Sequence, residues 1–175
     1  MHAVTSTSRE AGNDNEVWEM RPPAAIIAYI LHRFHEPLRR DLPVLVSDAR
    51  LVEAETSRSP LRPTGLANHL EQILMAVESH LAKEEKILFP LILAGRGGNA
   101  FMPIKVMMAE HEDHVANLER TRALTHDFTL PADANDIWRT LYLDLQRLEA
   151  DLNQHIQLEN NVLFTRVMSG DGDER

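Results

Sequence analysis

The amino-acid sequence predicts an all-α protein, an up-down-up-down bundle of four helices. Three observations carry that prediction. Apolar residues recur at helical period in four segments, separated by stretches rich in proline, glycine and small polar residues. No segment of any length shows the alternation of a half-buried strand. Composition agrees: 43% of the 175 residues are hydrophobic, but only 5% are aromatic and seven are glycine, which favours helices over a sheet.

Each element follows from its own punctuation. The first helix opens at Pro22–Pro23, because proline's fixed φ suits an opening turn. It runs at least to Pro37, with a kink expected there or at Pro43, and continues towards Glu55. SRSPLRPTG, residues 57–65, reads as a loop. The second helix spans roughly Leu66 to Ala94 and stops at Gly95, where GRGGN supplies a left-handed cap and a turn. The third opens at Pro103 and ends near Thr125. The fourth opens near Pro131, with Asp133 or Asp136 as its cap, and runs to about Met168. Modest loops between successive helices favour antiparallel neighbours. Residues 1–18 and 169–175 read as disordered tails, which leaves 19–168 as one domain.

Charge and composition exclude several classes of partner and chemistry. A net charge of −9 argues against a nucleic acid or an anionic membrane as partner. The absence of cysteine removes disulfides, thiolate metal sites and cysteine nucleophiles, and fits a cytoplasmic setting. The polar N-terminus lacks the apolar centre of a signal peptide, and the run from Ala24 to Leu31 is too short to span a bilayer.

The informative residues are the polar ones that interrupt apolar stripes. A core-facing stripe in a bundle advances by alternating steps of three and four. On the fourth helix it reads Leu141, Leu145, Leu148, Leu152, His155, Glu159, Val162, and on the second Ile73, Val77, His80, Glu84, Ile87, Leu91. The third gives Ile104, Met108, His111, Val115, Leu118, and the first Leu31, His35, Leu38, Leu42, Leu45. Every stripe holds one histidine, and two hold a glutamate one turn further on. An uncompensated polar group costs roughly 2–7 kcal/mol to move into an apolar setting, and an isolated carboxylate far more. Two carboxylates and four imidazoles at one depth therefore require something that neutralises and binds them together, and a pair of divalent or trivalent cations does so.

A two-fold arrangement supports this. HLAKEEKILF begins at His80 and HIQLENNVLF at His155, and both read His, three residues, Glu, two residues, a β-branched aliphatic, Leu, Phe. His35 precedes the first copy by nearly the same interval as His111 precedes the second. Each half thus offers a lone histidine and a His-x-x-x-Glu pair, whose members share a helix face one turn apart. The glutamate can then bridge two cations while the histidine caps one. A third such pair, His32 and Glu36, lies about 100° off the stripe and reads as accidental. EHEDH, at Glu110 to His114, is not a zinc-protease signature, because its histidines are three apart rather than four.

Imidazole with carboxylate suits iron, manganese or zinc, and paired bridging carboxylates in a bundle favour a di-iron or dimanganese centre. An oxo or hydroxo bridge would take one further place and leave positions open for oxygen, peroxide or nitric oxide. Trp138, Tyr142 and the pair Met107–Met108 read as core packing. His2, His69 and His126 are assigned to solvent or loops. His114 is either a seventh ligand or a rim residue, and Glu110 stands either near the centre or on a solvated face.

The segments HRFHEPLRRDLPVL, HLAKEEKILFPLI, VMMAEHEDH and HIQLENNVLF resemble the hemerythrin-like domain of the Repair of Iron Centres family, over roughly residues 20–168. That resemblance implies a hemerythrin-like four-helix bundle around a non-haem centre of two iron ions. It implies His35, His80, Glu84, His111, His155 and Glu159 as ligands, the six that the stripes select. The function it implies is binding or reduction of nitric oxide or oxygen species, in support of repair of iron–sulfur clusters damaged by nitrosative or oxidative stress. Its partners would be a small diatomic ligand and iron–sulfur proteins. In two respects the chain departs from the pattern. Thr56 stands where the family commonly has a further histidine, with Glu53 or Glu55 as substitutes, and the cysteine pair of the family's small N-terminal domain has no counterpart. The latter gives weight to an alternative, a carrier, buffer or sensor of oxygen or nitric oxide without turnover. A helical interaction protein with a hydrated polar stripe is the third reading.

The stripe assignment makes a direct prediction. Glu84→Ala or Glu159→Ala should abolish the visible absorption of the metal-loaded protein, whereas Glu36→Ala should leave it intact.

Overall fold

Helical stretches broken by wide turns assemble into four rods in the computed structural model, which describes residues 17–170. Of the expected tails, 1–18 and 169–175, residues 1–16 and 171–175, with His2, lie outside the described residues, whereas Trp18 packs on Tyr29 at 4.3 Å and Ser169 closes the last helix, so neither belongs to a tail. Rod α1 (residues 23–55) joins Pro23–Ile30, a π-helical turn at Leu31–His35 and Glu36–Glu55. Rod α2 (residues 66–93) joins Leu66–Lys83, a π turn at Glu84–Leu88 and Phe89–Leu93. Rod α3 is the single helix Gly97–Leu124. Rod α4 (residues 136–169) joins Asp136–Leu158, a π turn at Glu159–Phe164 and Thr165–Ser169. Packing of α1 on α2 and α4, of α2 on α3 and of α3 on α4 closes the four-helix bundle. Among the described residues there is no strand, and no helix is long and apolar enough to cross a membrane.

Prolines shape the rods without ending them. Pro23 takes the opening position of α1, as expected. The rod then continues through both Pro37 and Pro43. Just before Pro37, the N–H of Glu36 donates to the carbonyl of Leu31, five residues back. On α2 the N–H of Phe89 donates likewise to the carbonyl of Glu84, just before Pro90. A proline lacks the donor for an α-helical bond and crowds the carbonyl four residues back, and a wider turn relieves both problems.

Two helix starts differ from expectation. Rod α3 opens at Gly97 and carries Pro103 inside it, so the turn after α2 is shorter than the GRGGN string suggests. The left-handed cap is at Gly95, with φ 65°, and the N–H of Arg96 reaches back to the carbonyl of Leu91 at 3.0 Å, which reverses the chain within three residues. Rod α4 opens at Asp136 rather than near Pro131, because Asn135, not an aspartate, is the cap: its side-chain oxygen accepts the N–H of Trp138 at 2.9 Å.

The core falls into two apolar clusters. One gathers Leu42 and Val52 of α1, Leu70 of α2 and Leu141 of α4, and the other Ile30 of α1, Leu88 of α2, Ile104 of α3 and Phe164 of α4. Along each rod the stripe histidine falls where one cluster gives way to the other. The stripe shifts phase on two rods. On α2 the π turn inserts an extra residue, so Ile87 is 53% exposed while Leu88 and Ile92 are buried. On α3 the stripe steps through Met107, His111, His114 and Leu118, and Val115 faces outward.

Asn135→Ala should lower the unfolding free energy by about 1 kcal/mol, the usual effect of losing a helix cap, as read from the midpoint of a urea titration.

Candidate metal centre

The two His-x-x-x-Glu pairs bring their carboxylates into the middle of the bundle, where Glu84 and Glu159 are both 0% exposed. His35, His80, His111 and His155 surround them, each buried to 2% exposure or less. The oxygens of each carboxylate divide between two histidines. Glu84 sets Oε2 at 3.3 Å from Nε2 of His35 and Oε1 at 3.3 Å from Nε2 of His80. Glu159 sets Oε1 at 3.1 Å from Nε2 of His155 and Oε2 at 3.1 Å from Nε2 of His111. Two four-donor groups result, His35–Glu84–His155–Glu159 and His80–Glu84–His111–Glu159, with the donor atoms of each within 4.8 Å of one another. Both groups share both glutamates, so each carboxylate faces two neighbouring positions at once.

Outer contacts decide which ring nitrogen faces inward. Nδ1 of His35 donates to Oε1 of Glu85 at 2.8 Å, and Glu85 is held in turn by Arg39 at 2.7 Å. Nδ1 of His80 donates to Oε2 of Glu110 at 2.9 Å, and Lys83 holds Glu110. Nδ1 of His111 donates to the side-chain oxygen of Asn160 at 2.8 Å. With Nδ1 carrying the hydrogen, Nε2 presents a lone pair to the centre. On His80 and His111 those two Nε2 atoms stand only 3.1 Å apart, an arrangement that needs a proton or a cation between or beside them. Aromatic rings complete the mount. Phe89 stacks on His35 at 5.8 Å and Phe164 on His111 at 5.9 Å. The final Phe of each repeated template therefore grips the lone histidine of the preceding rod.

The donor set fits a pair of cations. None of the four carboxylate oxygens has a hydrogen-bond partner among the described residues, and neither does Nε2 of His35 or of His155. Orphaned polar atoms at this depth are strongly destabilising unless a positive charge meets them. Imidazole nitrogen and carboxylate oxygen are the donors that suit iron, manganese or zinc.

Without cations, protons take up part of the charge. Burial opposes a charged His80, but Glu84, Glu159 and Glu110 outweigh it and raise its imidazole to about 9. His35 is raised in the same way, burial being outweighed by Glu84, Glu85 and Glu159. Burial would raise the Glu159 carboxyl, yet His155 and His111 hold it well below its ordinary range.

Several residues take places that the sequence left open or misread. His114 is buried to 3% exposure, not a rim residue, and its ring meets that of His80 edge-to-face at 4.9 Å. Burial, with His80 and His111 nearby, holds its imidazole down at about 3, so it is neutral. Its position four residues before Leu118 is the signal that could have found it, since a three–four stripe can pass through either His114 or Val115. Glu110 braces His80 instead of lying on a solvated face. His69 is 2% exposed, not in solvent, and donates Nε2–H to the carbonyl of Asn117 at 2.9 Å; it stands four residues before Ile73, on the stripe. His126 is in the loop after α3, as expected. His32 and Glu36 pair at 3.1 Å on the exposed surface, away from the centre. Neither Thr56 nor its two candidate substitutes, Glu53 and Glu55, is turned to the centre. Thr56 caps α1 through its hydroxyl on the carbonyl of Val52, Glu53 accepts the N–H groups of Gly65 and Ala67, and Glu55 accepts from Asn135.

Four helices converging two shared glutamates and four histidines define a hemerythrin-type cation-binding domain. Residues 26–167 match the hemerythrin HHE cation binding domain, and the chain belongs to that family. Within it, the chain is similar to the iron-sulfur cluster repair protein YtfE of Pectobacterium carotovorum, at 43% identity over 159 residues, which cover 91% of this chain and 72% of the relative. It is also similar to YtfE of Yersinia pseudotuberculosis, at 39% identity over 171 residues, which cover 98% of this chain and 77% of the relative.

Proton–metal competition sets a pH dependence. The folded His80 sits above its ordinary 6.5, so its charged form stabilises the metal-free fold below about 6.5, and that contribution is lost as pH rises through about 9. A cation must displace that proton. Affinity of the metal-free protein for a divalent cation should therefore climb by up to about tenfold per pH unit towards pH 9 for each proton displaced, as read by competition with a chelator of known affinity.

Proposed function

We propose that this protein is a non-haem di-iron protein that supports the repair of iron–sulfur clusters damaged by nitrosative or oxidative stress. On this reading its centre binds or reduces nitric oxide or oxygen species. The observation that carries it is the pair of four-donor groups sharing Glu84 and Glu159 at zero exposure. Two carboxylates common to two histidine pairs within a helical bundle suit a dinuclear iron centre better than a single-ion site. The relatives' printed name, iron-sulfur cluster repair protein, supports the cellular role. A chain without cysteine suits the reducing cytoplasm, which is the proposed setting.

When bound, a pair of irons supplies open coordination positions and electrons for a diatomic ligand. The protein's part is to hold the positions in register. Glu84 and Glu159 tie the two together, and Glu85, Glu110 and Asn160 orient three of the four imidazoles. Phe34, Phe89 and Phe164, stacked on His155, His35 and His111, keep the rings from turning and exclude water.

A second reading, a carrier or sensor of nitric oxide or oxygen without turnover, is favoured by one observation: the chain offers no thiol to relay electrons or take up iron. Purified protein should contain about two iron atoms per chain. Supplied with excess reductant, it should consume nitric oxide catalytically or restore activity to a cluster-depleted enzyme. Stoichiometric binding without either activity would favour the carrier. Iron-free protein whose fold ignores chelators would overturn both readings.

A further inference from the structure

The four imidazoles are not held alike. His80 and His111 each donate Nδ1–H to a fixed acceptor, Glu110 and Asn160. Of the other pair only His35 is braced in this way, by Glu85. His155 has a buried Nδ1 without a hydrogen-bond partner among the described residues, and a stack on Phe34 at 5.1 Å is its main restraint. An acceptor on the outer nitrogen fixes a ligating histidine and strengthens its lone pair, and loss of such a partner commonly weakens metal binding by about 10–100-fold.

His114 adds to the inequality. It is a buried imidazole, 3% exposed, whose two nitrogens both lack a hydrogen-bond partner among the described residues. It lies one turn beyond His111 on α3 and edge-to-face on His80, so it borders the His80–His111 position. His114 stands outside the four donors that lie within 4.8 Å of one another, but a buried imidazole with unused nitrogens against the His80 ring is a nitrogen donor held in reserve. Among the described residues the His35–His155 position has no such neighbour, and beside it lies a groove of about 320 Å³ between α1 and α4. Phe34 both lines that groove and stacks on His155, so a single aromatic ring connects the outside with the unbraced ligand.

We propose that the two metal positions differ in permanence: the one between His80 and His111, backed by the nitrogen of His114, retains its ion, and the one between His35 and His155 exchanges it. This inference rests on the dinuclear reading above and deepens it, because only one of the two ions per chain would then be exchangeable.

The test loads the full chain anaerobically with two ferrous ions and follows their loss to excess ferrozine. The expected result is two phases of equal amplitude, one slow and one fast. His155→Ala should remove the fast phase and spare the slow one. His114→Phe, which keeps a ring but no nitrogen, should speed the slow phase by about 10–100-fold and leave the fast phase unchanged, with far-ultraviolet circular dichroism confirming the fold. Release of both ions in a single phase from the wild-type chain would overturn the proposal even if every variant misfolded. A His114→Phe slow phase at the wild-type rate, or a fast phase that survives in His155→Ala, would overturn it as well. Failure to load two ions at all would instead defeat the dinuclear reading.

Discussion

Two carboxylates at zero exposure, inside a bundle otherwise filled by aliphatic and aromatic side chains, are the constraint on which the rest of the structure depends. Neither Glu84 nor Glu159 has a hydrogen-bond donor to satisfy it among the described residues, and charge alone meets them. Removal of such groups from water is tolerable only when positive charge lies within contact distance. His80 and His35 supply a first answer by taking up protons, because the adjoining carboxylates raise both imidazoles above the ordinary value. Cations in the two shared positions would be a fuller answer, since they meet all four carboxylate oxygens and the inward lone pairs at once.

Local backbone geometry adjusts to that centre. Three of the four rods carry a π turn, and each turn begins or ends on a donor: His35 closes one, and Glu84 and Glu159 open the others. Single π turns are frequent at functional sites. Here the extra residue rotates the chain beyond Glu84, so that Leu88–Phe89 pack inward in place of Ile87, and beyond Glu159 the successive residues Val162–Phe164 are all buried. The two phenylalanines thereby reach the imidazoles of neighbouring rods. The doubled template is thus more than a pair of His-x-x-x-Glu strings, since each copy also carries the ring that holds the buried histidine of the other helix of its half.

A second layer keeps the donors in place. Arg39 clamps Glu85 and Lys83 clamps Glu110, so two imidazoles are oriented by carboxylates that are themselves neutralised. Burial would raise both carboxyls, but the adjoining cations and imidazoles hold them below the usual range, so they remain acceptors at neutral pH. This layer lies across helix interfaces: Arg39 is on α1 and Glu85 on α2, while Lys83 is on α2 and Glu110 on α3. Its members are ordinary surface charges when read one helix at a time.

The sequence by itself determined that the chain is helical, that it has four rods, and that His35, His80, Glu84, His111, His155 and Glu159 share one depth. Helical period and the three–four step are properties of a single chain, so apolar stripes and the polar residues interrupting them can be read in one dimension. Tertiary structure alone decided that His114 rather than Val115 turns inward, that Ile87 turns outward, and that Glu85, Glu110 and Asn160 orient the rings. A stripe allows two phases at such points, and the choice depends on what the neighbouring helix presents. The wide turns after the glutamates likewise arise because the side chains beyond them must pack against other rods. Those pairings exist only in three dimensions.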